Sequence, residues 1–136
     1  MNNTIDYGPE PFAVNISQAT RRNNNFRRAL WTGEHLQLTL MSIPVGGVIG
    51  LENHSDTDQF LRIEAGFGVL KMGECREEMD FVRQIGAGDG IFVPAGTWHN
   101  IINTGRCPLK IYSIYAPPHH PHGTVQRTKE IADREH

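Results

Sequence analysis

The chain has 136 residues, with 13 lysines and arginines against 15 aspartates and glutamates, and a formal charge of −2. That balance lacks the basic footprint by which nucleic-acid binders neutralise several phosphates, and an apolar share of 38% is that of an ordinary globular chain. No run approaches the roughly 20 apolar residues that span a bilayer, residues 1–11 lack the apolar stretch of a secretory signal, and two cysteines, Cys75 and Cys107, are too few for a disulfide scaffold. The expectation is a cytoplasmic protein with reduced thiols and with neither a nucleic-acid nor a membrane partner.

In chain order, residues 1–27 form a polar arm in which a short helix is expected within 16–24. Arg21-Arg22 and Arg27-Arg28 flank Asn23-Asn24-Asn25, and the run reads as a solvated turn. Residues 36–43 alternate apolar and polar as a half-buried strand does, then stop at Pro44 and Gly46-Gly47. Residues 59–64 form a second such run, stopped by Gly66. Residues 69–72 and 81–85 follow, separated by a charged turn, and residues 90–93 run into Pro94. Residues 98–102 and 109–115 complete the set around the turn Gly105-Arg106-Cys107-Pro108. Many short strands and little helix predict an all-β sandwich or barrel. We expect one domain over 1–136, with the barrel core at about 28–118 and a tail at 119–136 that either forms a short helix capped by Thr128 or frays.

Glu52 and His54 are two residues apart, so in a strand they point to the same face. Gln59 opens the next strand after the polar turn Ser55-Asp56-Thr57-Asp58, and His99 follows the tight turn marked by Pro94 and Gly96. Asp58 is a rival to Gln59. Gln59 is preferred because it shares a face with Leu61 and Ile63, whereas Asp58 shares one with Phe60, Arg62 and Glu64, the set expected to face outward.

These residues carry a resemblance. Residues 88–103 match the second cupin motif, G-x5-P-x-G-x2-H-x3-N, at Gly88, Pro94, Gly96, His99 and Asn103. The first cupin motif, G-x5-H-x-H-x3,4-E-x6-G, aligns from Gly46 to Gly66, with Glu52 at the first histidine, His54 at the second and Gln59 at the glutamate. The chain thus resembles a small cupin. The resemblance implies a double-stranded β-helix, a jelly-roll barrel, that pairs as a homodimer through its outer sheet. It also implies one divalent metal ion on Glu52, His54, Gln59 and His99.

Two imidazoles with carboxylate and amide oxygens suit zinc, iron, manganese or nickel. The set is similar to a permuted version of the mannose-6-phosphate isomerase site. A cupin that has lost its metal is the competing reading, but both replacements can still offer a lone pair to a cation. The function implied is metal-assisted isomerisation or dioxygenation of a small oxygen-bearing, possibly anionic, substrate. The alternative is a cupin that binds or senses a small molecule without chemistry.

Three further features are read from position. Tyr112 and Tyr115 fall on opposite faces of one strand, and Tyr115 is expected to reach the interior. Trp98 faces away from His99 and is assigned to packing. His119, His120 and His122, in a proline-stiffened stretch, read as a surface segment closing the domain.

Overall fold

The computed structural model describes residues 4–135. Its elements are α1 (Ile16–Arg22), β1 (Arg27–Thr32), β2 (Gln37–Ile43), β3 (Asp58–Ala65), β4 (Phe67–Gly73), β5 (Phe81–Gly86), β6 (Gly90–Val93), β7 (Trp98–Asn103), β8 (Leu109–Ala116), β9 (Val125–Gln126) and α2 (Lys129–Arg134). Among the described residues nine strands form two antiparallel sheets, ordered β6-β3-β8-β2-β1-β9 and β5-β4-β7, in the double-stranded β-helix arrangement.

The period-2 pattern fills the space between the sheets. On β3, Gln59, Leu61 and Ile63 point inward and meet Tyr115, Ser113 and Ile111 of β8, which in turn meet Gln37, Thr39 and Met41 of β2. These rungs divide the interior. Leu61, Ile63, Ile43, Leu109, Ile111 and Ile101 are fully buried in an apolar base, and each contributes about 1.5–3 kcal/mol by leaving water. Toward the other end the inward positions turn polar, with Gln37, Thr39, Gln59, Ser113 and the Tyr115 phenol.

Three expectations are corrected. Residues 46–54 do not form a regular strand; they run beside β7, bridged at Val48–Ile102 and Glu52–His99. The ladder breaks at Gly50, whose φ of +110° suits a residue without a side chain. The Gly50 amide turns instead to the Asn100 side chain, at 3.0 Å.

The arginine–asparagine run is not a solvated turn either. Arg27 and Arg28 are buried in β1, and Lys110 reaches from β8 to the Asn23 carbonyl and the Asn24 side chain. Glu64 stays on the outward face of β3 but is buried, paired with Arg62 at 3.1 Å. Helix α1, capped by the Asn15 side chain on the Gln18 amide, packs over β8, β3 and β2 on that side.

The tail adds structure to the barrel. β9 pairs with β1, Arg27 facing Gln126 and Arg28 facing Val125. Thr128 caps α2 by accepting from the Ile131 amide at 3.2 Å. Among the described residues no helix is long and apolar enough to cross a membrane, and Cys75 and Cys107 are exposed and unpaired.

Candidate metal centre

Glu52 and His99 are directly opposed across the bridge between the 46–54 segment and β7. The Glu52 amide donates to the His99 carbonyl at 3.0 Å, and the His99 amide to the Glu52 carbonyl at 2.9 Å. Opposed residues send their side chains to one face. The turn before β7 closes with the Thr97 amide on the Pro94 carbonyl, and the Gly96 amide ties it to the His54 carbonyl at 2.8 Å. Gly96 makes this turn at a φ of +84°. The result is a cluster in which one donor atom each from Glu52, His54 and His99 lies within 4.8 Å of the others.

Protonation suits the cluster to a cation. Burial alone would raise the Glu52 pKa, but the close approach of His54, then Arg27 and His99, pull it down to about 2. Burial pushes the His99 pKa down, so its imidazole is neutral at pH 7. The His99 Nδ1 lies 3.0 Å from the Thr97 carbonyl oxygen. A carbonyl accepts only, so Nδ1 carries the proton and Nε2 keeps its lone pair, a common way of orienting a metal-binding imidazole.

Two further buried side-chain atoms lack an aligned hydrogen-bond partner. The His54 Nε2 sits 3.0 Å from Glu52 Oε2 without hydrogen-bond alignment. Gln59 donates its Nε2 to Ser113 Oγ at 2.8 Å, while its Oε1 is buried with no partner. Buried polar atoms are normally satisfied, so the unpartnered Gln59 Oε1 on the inner face suits a cation. Asp58 is exposed, and its Oδ1 accepts from the Ala95 amide at 2.9 Å. Of the two rivals, Gln59 is the one on the inner face.

Tyr115 is buried inside and Tyr112 lies on the other face of β8. Burial raises the Tyr115 pKa, so the phenol keeps its proton. Trp98 is half-buried with the Arg76 guanidinium 5.6 Å above its ring. A cavity of about 630 Å³ opens beside Glu52, and the tail supplies much of its wall.

Three residues of this mouth escaped the sequence reading as site residues. The His119 ring lies 4.1 Å from that of His54, centre to centre, and also packs on Tyr115, while His120 stands edge-on behind it. These two line the cavity; His122 does not, and bonds Gly8 and Asp6 instead. Burial lowers the pKa of His119, and of His120 to about 3, so both are neutral. Arg27 is the third, 5% exposed, with Nη1 on Gln126 Oε1 at 2.8 Å and Nη2 3.4 Å from Glu52 Oε1. The clue to Arg27 was the alternation Arg27, Ala29 in β1, which a bulge between Ala29 and Trp31 cuts short.

The comparisons with known proteins agree with this architecture. A family model described as Cupin domain matches residues 39–115. The uncharacterized protein YrkC of Bacillus subtilis (strain 168) is 61% identical over 127 residues, covering 93% of this chain and 68% of YrkC. The crystal structure of BH2720 from Bacillus halodurans superposes with a TM-score of 0.95 at 58% identity, covering 96% of this chain and 98% of that one. A Thermotoga maritima structure described as a predicted oxalate decarboxylase is 26% identical with a TM-score of 0.55, covering 62% of this chain and 69% of that one.

Proposed function

The chain belongs to the cupin family, and from that premise we propose that its barrel holds one divalent metal ion on Glu52, His54, Gln59 and His99. The observation that carries this reading is the triad of donor atoms within 4.8 Å, with the lone pair of Gln59 Oε1 buried and unused on the inner face. Two imidazoles, one carboxylate and one amide oxygen suit zinc, iron, manganese or nickel. When bound, such an ion supplies Lewis acidity toward a substrate oxygen or, as iron, redox chemistry with dioxygen.

The chain's own residues prepare the place. His54 and then Arg27 hold Glu52 ionised, Thr97 fixes the His99 tautomer, and buried apolar side chains fill the barrel below. The substrate is a small oxygen-bearing molecule, and the reaction an isomerisation or a dioxygenation. The Thermotoga maritima neighbour, described as a predicted oxalate decarboxylase, supports an enzymatic role. One observation favours a second reading, a cupin that binds a small molecule without chemistry. The free imidazoles at the mouth, His119 and His120, are weakened as bases by burial.

The unit we propose is a single-domain chain paired as a homodimer. Exposed Phe81 and Val82 on edge strand β5 support such pairing.

Metal analysis of protein purified without added metal, beside the His99→Ala variant, tests the reading. One equivalent in the parent and none in the variant is expected. Iron would select dioxygenation, and zinc or manganese isomerisation. A parent that takes up no metal even after loading refutes the metal centre and leaves the binding module.

A further inference from the structure

Arg27 is more than a partner for Glu52. A buried guanidinium is costly unless its whole fork is paired. Here one nitrogen bonds Gln126, another makes a long 3.4 Å contact to Glu52, the Tyr115 phenol lies within its reach, and Nε is buried with no partner. Arg27 also lines the cavity of about 630 Å³, a volume that suits a small molecule. If Glu52 turns its charge to a cation, Arg27 loses the ion pair it makes with Glu52. Filling this place does not require an arginine, since replacing a buried ion pair by apolar residues of similar volume is often neutral or stabilising.

We propose that Arg27 anchors the carboxylate of a small monocarboxylate ligand, held between its guanidinium and the metal position; this rests on the metal centre proposed above. The forked donors of arginine match the two oxygens of a carboxylate. Charge in the cavity wall sets the limit to one negative charge. Arg27 and Lys129 face the carboxylates of Glu52, Asp133 and Glu135, so a divalent ion leaves a single positive charge to be balanced. A phosphate dianion would overshoot. The carbon chain of the ligand lies against apolar wall residues such as Ile49, Leu51 and Val125. The tail holds the anchor in place, because Gln126, which grips Arg27, is itself held by Glu135 at 3.1 Å.

Calorimetric titration of manganese-loaded protein with butanoate, 1-butanol and inorganic phosphate tests this, with metal content measured separately on every sample. Butanoate is expected to bind, and Arg27→Met to weaken it about tenfold or more at equal metal loading, the worth of a charge-assisted hydrogen bond, while the response to butanol stays unchanged. No butanoate binding to the parent, equal butanoate affinity in the metal-loaded variant, or phosphate binding more tightly than butanoate overturns the proposal and leaves the metal centre standing. If the parent takes up no metal, the metal centre fails. The same two titrations on metal-free protein then judge Arg27, a tenfold gap supporting the anchor and equal affinities refuting it. Should Arg27→Met melt below the assay temperature, Arg27→Lys takes its place. It keeps the charge but loses the fork, so butanoate should weaken severalfold; an unchanged affinity overturns the proposal.

Discussion

Asp6 is buried where the N-terminal arm, β1 and the tail meet. Its Oδ1 accepts from the amides of Gly8 and Thr32, both at 3.0 Å, and its Oδ2 from Thr32 Oγ1 at 2.6 Å and the Gly123 amide at 2.9 Å. Asp6→Asn keeps the shape but turns one oxygen into an amino group that faces donors. The Gly123 amide then loses its acceptor, and the remaining bonds lose their charge assistance. One or two hydrogen bonds to a charged group, at about 1.5–3 kcal/mol each, put the loss near 3 kcal/mol, on the order of 10 °C in Tm.

The pH dependence has a definite sign. Burial would raise the Asp6 pKa, but Thr32, Gly123 and Gly8 hold it below its ordinary value of 3.8. The group therefore stabilises the fold fully above the unfolded value, and that contribution fades as pH falls below 3.8 and through the folded value. Urea melts of parent and variant should differ by about 3 kcal/mol at pH 7, and the gap should narrow as pH falls below 3.8. A gap under about 0.5 kcal/mol at pH 7, or one that does not narrow in acid, refutes the account.

Other sites test the frame around the centre by the same melts. Leu61→Ala removes a fully buried side chain from the apolar base and should lower stability by about 3 kcal/mol. Asn103→Ala strips the carbonyls of Ile43 and Cys107 and the Gly105 amide of their partner, for a loss of about 2–3 kcal/mol. Gly66→Ala forces a side chain onto a φ of +88° with the Pro108 carbonyl 3.1 Å from the new Cβ, and should cost about 1–3 kcal/mol.

The strands were legible where one face is apolar and the other polar. Residues 59–64 and 109–115 show that alternation, and they became β3 and β8 with the inward sets that it implies. β1 was hidden because its inward face carries Arg27, and a charge on the inner face defeats a rule built on apolar burial. The 46–54 segment read as a strand because periodicity cannot register a positive φ at Gly50. The motif spacing still put Glu52, His54 and His99 in one candidate set, and their donor atoms lie within 4.8 Å of one another. The direction taken by His119 and His120 depended on a loop path that local pattern does not encode, and a distant residue, Gln37, decides it.

Gln37 and Gln59 flank Tyr115 in neighbouring strands, both buried on the inner face. Their hydrogen bonds differ. The Gln37 amide group donates to Thr32 Oγ1 at 3.0 Å and the His120 carbonyl at 2.8 Å, and its oxygen accepts from the amides of His119 and His120 at 3.2 and 2.9 Å. Gln59 uses only its amino group, on Ser113. One glutamine is consumed in holding the histidine segment over the mouth; the other keeps its oxygen idle. Gln37→Leu should therefore lose about 3 kcal/mol and free the His119–His120 segment to exchange its amides quickly. Gln59→Leu should lose only about 1 kcal/mol yet bind manganese at least tenfold more weakly, as loss of a ligand implies. The two readouts, urea melts and metal titration, must separate in this way. Equal metal affinity in Gln59→Leu and the parent would remove Gln59 from the proposed ligands and leave the Glu52, His54 and His99 triad alone.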